Sequence, residues 1–522
     1  MLLLTGGTVY TLDPARPRAT SLAVDDGRIV ALDTWRELLP SKHQIVELSG
    51  RVVLPGFVDA HLHFGSYALA QQQVDLNPAP SLADGLDVLR RAAERLPTDA
   101  WLRGRGWDRN RWGCLPTAAD LDGVVGTRPA VLDSHDGHAL WLNTPVLRLA
   151  SVTRATPDPP GGAIERGADG EPTGIVFENA RRLVWRVVPP PSIDELAQAI
   201  RAALPVAAAA GLTGFHSFED ARSLESLRVL DRAGELSLRV WHGVPRDQLR
   251  EAQQLGLRTG RGTDNLRIGP VKLYADGALG SRTAYLLEPY EGRADGYRGL
   301  PTLQPDELVD DLRVAAEAGL DIAVHAIGDA AVRGVLDAVE AARRVAPALG
   351  ERLVRIEHAQ LVHPTDVPRF AALDVIASMQ PSHAVSDWRA ADAHWGARAC
   401  HGYAWRTLLS AGARLAFGTD APVESIEPLP SLHAAVTRRD ARGEPPGGWY
   451  PDERLSLLEA VRAYTLGAAH AGRAEHRRGS LVVGKDADLV VLSADPFQLD
   501  PEQLLELQVE LTMVGGRIVH PI

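Results

Sequence analysis

The pattern of apolar and polar positions separates two β-rich ends from a different middle. Residues 1–55 form short alternating runs broken by Gly, Asp and Pro, which is typical of strands. Residues 479–492 and 511–519 show the same pattern, and Gly515-Gly516 predicts a hairpin turn. We expect the two ends of the chain to meet in one small sheet domain.

The middle of the chain repeats a strand-then-helix unit. A helix is predicted from Ser192, where Glu195 completes a capping box, and another from Pro305 to Gly319. Pro205 is expected to kink the first of these helices. Eight units, the number that closes a (β/α)₈ barrel, follow from apolar runs at Phe57–His61, Thr213–His216, Leu238–His242, Val271–Tyr274, Ile322–His325, Leu353–His358, Val375–Met379 and Arg414–Phe417.

One connection is far too long for this architecture. Roughly 150 residues separate His63 from Thr213, against the usual 2–6 for such a loop. We predict an inserted lid subdomain at 67–190. It holds five of the eleven tryptophans, which favours apolar or aromatic substrate contacts, with Trp107 as a candidate pocket wall. The alternative is that these tryptophans form the core of the insert.

Candidate chemistry lies at the predicted strand ends, which is where barrel enzymes carry their functional groups. His61 and His63 end the first strand, and alternate strand residues point to the same side, so two imidazoles converge there. The later strand ends supply Lys272, His325, His358 and Asp420. A single histidine after a strand is usually structural, but this set together predicts a metal site.

The motifs that surround these residues resemble the amidohydrolase superfamily, and within it the amidohydrolase 3, YtcJ-like group that includes N-substituted formamide deformylases. The similarity covers nearly the whole chain. The resemblance implies an α/β fold: a distorted (β/α)₈ TIM barrel at 56–474 and a β-sandwich domain from 1–55 and 475–522. The motifs are Gly-Phe-Val-Asp-Ala-His-Leu-His (56–63), Val-Lys-Leu-Tyr-Ala-Asp-Gly-Ala-Leu-Gly-Ser-Arg-Thr-Ala (271–284), Val-His-Ala-Ile-Gly-Asp (324–329), Ile-Glu-His-Ala-Gln (356–360), Gly-Thr-Asp-Ala-Pro (418–422) and Gly-Lys-Asp-Ala-Asp-Leu-Val-Val (484–491).

The resemblance also implies a ligand set. His61, His63 and Asp420 would hold one divalent ion, and His325 and His358 a second. Such nitrogen and oxygen ligands suit Zn²⁺, with Mn²⁺ or Fe²⁺ as alternatives.

The same resemblance implies that Lys272 carries a carbamate, formed with CO₂, that bridges both ions. The alternative is an unmodified Lys272 that pairs with a carboxylate or binds substrate beside a single metal. In the predicted chemistry Asp420 takes the proton of the attacking water and passes it to the leaving nitrogen.

Five further residues are predicted to contact substrate. Asp276 and Arg282 follow the fourth strand, where Arg282 could clamp a carboxylate or carbonyl, or the two could pair with each other. His138, in the insert, is predicted to orient substrate or to be structural. His383 follows the seventh strand and is expected to reach the site, and Trp107 completes the set.

Composition excludes several other functions. A net charge of −12 argues against nucleic acid and anionic membrane surfaces as partners. The two cysteines fit a reducing compartment, and neither a signal peptide nor an 18-residue apolar run is recognisable. We therefore expect a cytoplasmic enzyme that acts on a small molecule, and the superfamily favours a homo-oligomer, with a dimer as the expectation.

The predicted activity is metal-dependent hydrolysis of a C–N bond outside a peptide, in an amide or formamide. N-acyl amino acid deacylation and cyclic amide hydrolysis are close alternatives. A decarboxylase or lyase on the same metal site is a second class, and a binding protein with an inactive site is a third.

Overall fold

The computed structural model describes residues 1–34, 43–97, 100–135, 138–159 and 161–521. The chain divides into two compact units. Unit 1 comprises Met1–Ala68 and Ile193–Ile522, and unit 2 comprises Leu69–Ser192. Unit 2 thus occupies the stretch of sequence in which the insert is predicted at 67–190.

Both ends of the chain contribute to one sheet in unit 1. In the described residues this terminal sheet has eight strands. Numbered in chain order, they are β1 (Leu2–Tyr10), β2 (Arg18–Asp25), β3 (Arg28–Leu32), β4 (Gln44–Glu47), β5 (Val52–Pro55), β20 (Leu489–Leu492), β21 (Val509–Val514) and β22 (Arg517–His520). Their order in the sheet is β22-β21-β20-β5-β1-β2-β3, with β4 beside β1.

The terminal sheet curls around a shared apolar core. Strands from both ends of the chain bury their side chains in one cluster. The β3 edge returns to the segment before β20, where the Ile29 amide donates to the Lys485 carbonyl at 2.9 Å. The sandwich-like domain is therefore built from one continuous sheet. The expected strand at 479–492 is confined to Leu489–Leu492, because the preceding residues form turns that carry charged side chains.

The remaining strands of unit 1 form the barrel, and the predicted fold class is confirmed. Eight parallel strands follow one another, within the described ranges, from the first to the eighth. They are buried on both faces, as parallel strands between helices usually are. They are β6 (Phe57–Leu62), β13 (Leu212–Ser217), β14 (Arg239–Pro245), β15 (Leu266–Tyr274), β16 (Ile322–Ala326), β17 (Val354–His358), β18 (Val375–Met379) and β19 (Leu415–Phe417).

The first and eighth strands meet just beyond their ends. The Asp420 amide donates to the His61 carbonyl at 2.7 Å, and the His63 amide donates to the Ala421 carbonyl at 2.8 Å. Gly418 permits this approach, since a β-carbon there would lie 2.5 Å from the His61 backbone nitrogen. Barrel closure therefore brings the two predicted metal-binding segments together.

Helices follow the barrel strands. The helix from Ile193 continues through Pro205, and the helix from Pro305 ends where Gly319 adopts a left-handed conformation (φ 76°). In the described part of the chain, no helix combines the length and apolar character needed to cross a membrane. The helices of unit 1 are α7 (Ile193–Ala209), α8 (Ala221–Arg232), α9 (Leu249–Gln254), α10 (Pro305–Ala318), α11 (Asp329–Val345), α12 (Val367–Ala372), α13 (Pro381–Trp395), α14 (Trp405–Ser410), α15 (Pro428–Thr437), α16 (Leu457–Arg462) and α17 (Ala468–Ala471).

Unit 2 has its own sheet and core. The strands of this sheet are β7 (Val74–Asp75), β8 (Leu102–Trp107), β9 (Ala130–Ser134), β10 (Ala139–Leu142), β11 (Gly162–Arg166) and β12 (Pro172–Glu178). Their order is β11-β12-β10-β9-β8-β7, and two apolar clusters pack against the sheet. The helices are α1 (Phe64–Gln72, which begins in unit 1), α2 (Leu82–Arg95), α3 (Arg109–Trp112), α4 (Ala118–Val125), α5 (Thr144–Leu149) and α6 (Arg181–Trp185).

Candidate metal centre

The end of β6 presents two oriented imidazoles. Nδ1 of His61 lies 2.5 Å from a carboxylate oxygen of Glu357, and Nδ1 of His63 lies 2.7 Å from the Phe218 carbonyl. Both acceptors require the proton on Nδ1, which leaves each Nε2 with a free lone pair. This orientation by the opposite ring nitrogen is characteristic of metal-binding histidines.

One carboxylate oxygen of Asp420 lies close to both imidazoles. Its Oδ1 lies 3.5 Å from Nε2 of His61 and 3.3 Å from Nε2 of His63. This buried oxygen has no hydrogen-bond partner in the described structure. Ligand atoms about 2.0–2.2 Å from a tetrahedral ion lie about 3.4 Å from one another. The three atoms therefore fit a shared divalent ion.

The second pair of predicted ligands lies beside the first. The rings of His325 and His358 are 4.6 Å apart, and the His358 ring is 4.8 Å from that of His61. Ligand atoms of His61, His358 and Asp420 all fall within 4.8 Å of one another. Nδ1 of His358 meets the Gln380 side-chain oxygen at 2.8 Å.

Two of these residues have strained backbones. His358 has φ 74° and Asp420 has φ 61°, in the left-handed region that side chains with a β-carbon seldom occupy. Such strain concentrates where a functional geometry must be held. The carboxyl ends of β17 and β19 are therefore shaped for the site.

Lys272 reaches this cluster without an ion-pair partner in the part of the chain that the structure describes. Its side chain is 3% exposed, and Nζ finds no hydrogen-bond acceptor among the described residues. Nζ instead lies 4.8 Å from the centre of the Phe218 ring and 5.1 Å from that of Tyr274. Burial lowers the pKa of Lys272 to about 8, against the opposing charges of Glu357 and Asp420. This environment favours the neutral amine that carbamate formation needs.

At His63 the nearby Asp420 carboxylate outweighs burial and raises the pKa, but burial keeps the other three imidazoles neutral. It lowers the pKa of His61 to about 4 and that of His325 to about 3, with the nearby Lys272 charge as the next cause in both. Burial followed by the His325 charge likewise lowers the pKa of His358. Neutral imidazole is the form that binds metal, so these side chains are ready ligands at neutral pH.

Comparison with known proteins agrees with this geometry. The profile described as "Amidohydrolase family" matches residues 44–520. The chain belongs to the amidohydrolase family. Among its relatives, the putative amidohydrolase YtcJ of Bacillus subtilis (strain 168) is 34% identical, covering 99% of this chain and 98% of the relative. The N-substituted formamide deformylase of Arthrobacter pascens is 30% identical over 99% and 97%, respectively.

Solved structures give the same family relationship. A metal-dependent hydrolase from Pyrococcus furiosus is 30% identical and superposes with a TM-score of 0.81, over 95% of this chain and all of the other. The counterpart from Pyrococcus horikoshii OT3 is 28% identical with the same TM-score, over 96% of this chain and 99% of the other. This amidohydrolase is therefore a hydrolase of a metal-dependent family.

His383 lies beside the candidate ligand Asp420 in this amidohydrolase, and its contact with substrate stays a prediction. Its Nε2 lies 3.1 Å from Oδ2 of Asp420, and its Nδ1 lies 3.0 Å from the Glu424 carboxylate. Burial lowers the pKa of His383, but hydrogen bonds to the two carboxylates outweigh burial and raise it to about 10. A protonated His383 thus steadies Asp420, and Glu424 is a neighbour that sequence reasoning did not identify.

Asp276 follows β15 and binds the backbone of neighbouring loops. Its buried carboxylate accepts backbone N–H groups of Tyr285 (2.8 Å), Ile327 (3.0 Å) and Gly328 (2.8 Å). These contacts join the loops after β15 and β16, and Oδ1 of Asp276 lies 3.7 Å from Nε2 of His325. The contact of Asp276 with substrate stays a prediction. Asp276 does not pair with Arg282, whose exposed side chain instead approaches His394 at 3.4 Å.

The two predicted residues of unit 2 differ in exposure. Trp107 is 1% exposed, and its Nε1 donates to the Leu132 carbonyl at 3.0 Å. It belongs to the apolar core of unit 2, as the alternative interpretation expected. His138 is exposed and lies 2.9 Å from Glu178. Trp107, His138 and Glu178 border one cavity of 380 Å³, and their contact with substrate stays a prediction.

A larger cavity of 760 Å³ opens beside Lys272 of the candidate metal centre in unit 1. Lys272, Phe218 and Tyr274 lie along one side of it. The Phe218 ring is also 4.8 Å from the His61 ring, and the Tyr274 ring 5.4 Å from that of His325. Aromatic faces thus connect the ligands to a space large enough for a small molecule.

Proposed function

We propose that this amidohydrolase uses a divalent metal centre to hydrolyse a non-peptide C–N bond in a small-molecule amide or formamide. The observation that carries the proposal is the convergence of two oriented imidazoles on an unpaired oxygen of Asp420. The full-length similarity to an N-substituted formamide deformylase supports the formamide as substrate class.

The residues present fit a pair of ions. His61, His63 and Asp420 would hold one, His325 and His358 the other, and Zn²⁺ is our preferred metal. Lys272 would join them after its neutral amine adds CO₂ and releases a proton, which yields a carbamate anion. When bound, the metal lowers the pKa of a water molecule and polarises the scissile carbonyl.

Asp420 is the proposed proton carrier. Its carboxylate accepts the proton of the attacking water and delivers it to the nitrogen that leaves, so it acts first as base and then as acid. His383 holds the other carboxylate oxygen and fixes the direction of Asp420. The cavity of 760 Å³ offers room for the substrate beside Lys272.

The experiment is a hydrolysis panel with metal-stripped and Zn²⁺-reconstituted protein. We expect release of amine from N-formyl and N-acyl amines only after reconstitution, and loss of that activity in His61→Ala. A protein that binds Zn²⁺ but cleaves nothing in a broad amide panel would overturn the proposed activity. Amine release at full rate without metal would overturn the proposed mechanism.

A further inference from the structure

A buried ion pair that the proposed chemistry does not use lies next to the metal centre. Arg355 and Glu357 alternate on β17, so both side chains face the barrel interior. Arg355 is 1% exposed and Glu357 0%. Removing two charges from water is costly, so such a pair needs excellent geometry to persist.

Glu357 uses its two oxygens for different partners. Oε2 accepts the proton of His61 Nδ1 at 2.5 Å, and Oε1 accepts a hydrogen bond from Arg355 Nε. The carboxylate can only accept, so His61 must keep its proton on Nδ1. Nε2 of His61 is thereby directed toward Asp420.

Arg355 anchors the same histidine a second time. One terminal nitrogen donates to the Ala60 carbonyl at 2.5 Å, immediately before His61, and the other lies 2.8 Å from Nδ1 of His216. In the closed barrel, β18 and β19 lie between β17 and β6 on one side and four strands lie between them on the other. The ion pair therefore spans the interior and fixes both the backbone and the ring at His61.

We infer that Glu357, held by Arg355, is a positioning residue that orients His61 for metal binding. It acts through His61 and does not touch substrate. His63 differs, because its Nδ1 is held by the backbone carbonyl of Phe218, which no side-chain substitution removes. The inference rests on the metal centre of the proposed function and assigns these two residues a role within it.

The test measures Zn²⁺ affinity in Glu357→Gln, which keeps the shape of the side chain and removes its charge. We expect about 10- to 100-fold weaker binding than wild type in a chelator competition on metal-stripped protein. We also expect kcat to recover toward the wild-type value at saturating Zn²⁺. Excess Zn²⁺ would not rescue a variant whose defect was only structural.

Asp488→Asn is the matched control. Asp488 belongs to another buried ion pair, with Arg239 at 2.7 and 2.9 Å, and no contact links it to the predicted ligands in the described structure. This control should unfold at a lower temperature yet bind Zn²⁺ within twofold of wild type. Equal weakening of Zn²⁺ binding in both variants would overturn the inference.

Other outcomes separate the two proposals. A folded Glu357→Gln with wild-type Zn²⁺ affinity overturns the positioning role alone. A wild-type protein that binds no Zn²⁺ overturns the proposed function. If Glu357→Gln does not fold, Glu357→Asp and Arg355→Lys replace it, with an expected loss of Zn²⁺ affinity in each. If all three fail to fold while the control folds, the pair serves folding and the inference is overturned.

Discussion

Unit 1 contains two buried charge clusters that differ in how completely they are paired. The strand-end cluster comprises His61, His63, Lys272 and Asp420. The seam cluster, between the terminal sheet and the barrel, comprises Arg239, Arg478, Asp486 and Asp488. In the seam cluster every carboxylate oxygen accepts a hydrogen bond from an arginine, while Nη2 of Arg478 has no hydrogen-bond partner among the described residues.

The strand-end cluster leaves atoms unpaired at similar depth. Asp420 Oδ1 and Lys272 Nζ have no hydrogen-bond partners among the described residues. An unpaired buried carboxylate oxygen costs free energy, and a bound cation would supply its missing partner. We interpret the seam cluster as charges that join two parts of the fold, and the strand-end cluster as the charges that we propose bind a metal.

The largest loss of turnover is expected in Asp420→Asn. The amide cannot accept the water proton, so turnover should fall by about 10²- to 10⁴-fold. The rate of amide hydrolysis at saturating Zn²⁺ measures this loss, and Asp488→Asn, the same change in the seam cluster, should retain turnover. Near-native hydrolysis by Asp420→Asn would remove Asp420 from the proposed role.

The next largest effect is expected on Zn²⁺ reconstitution, through Lys272. We expect bicarbonate to accelerate the Zn²⁺ reconstitution of stripped enzyme, and Lys272→Ala to lose this response. Since the amine is neutral above its pKa of about 8, the acceleration at a fixed concentration of dissolved CO₂ should grow between pH 7 and 9. Full reconstitution in CO₂-free buffer, with no added mass on the lysine, would contradict the carbamate and favour the single-metal alternative.

A stability effect is expected from the seam cluster. Asp488→Asn leaves the buried Arg239 guanidinium without its main charge partner. Loss of one partner of a buried pair costs about 3–5 kcal/mol of unfolding free energy. Urea denaturation measures this cost, and a change below 1 kcal/mol would show that the seam is not stabilised by the pair.

The smallest effect is a pH dependence of stability. Burial raises the pKa of Asp486, but the charges of Arg478 and Arg239 outweigh burial and lower it. A folded-state pKa below the unfolded value of about 3.9 gives stability above that value, and the stability is lost as the pH falls. Unfolding free energy between pH 6 and 3 should therefore decrease less in Asp486→Asn than in wild type. An identical decrease would exclude the contribution.

The barrel and the strand-end residues were predictable because they depend on local pattern. Apolar runs of four to six residues mark strands, and β18 has the predicted bounds Val375–Met379. Parallel strands of a closed barrel end at one rim, so residues at those ends must be neighbours. This reasoning places His61, Lys272 and Asp420 together without coordinates.

The hydrogen-bond partners of the buried side chains were not predictable, because they depend on distances across the barrel. Asp276 satisfies three backbone amides, which nothing in its own sequence segment indicates. Glu357 was missed although a signal existed. Charged residues at alternate positions in the apolar run Val-Arg-Ile-Glu-His indicate a buried ion pair facing the barrel interior.

The central claim is that the strand-end cluster is a metal site. The most direct measurement is the metal content of the purified chain, by atomic emission, before and after reconstitution with Zn²⁺. Our account predicts about two ions per wild-type chain, with tight binding lost in His61→Ala and unchanged in Asp488→Asn. A wild-type protein without tightly bound metal after reconstitution, or a His61→Ala variant with undiminished metal, would contradict it.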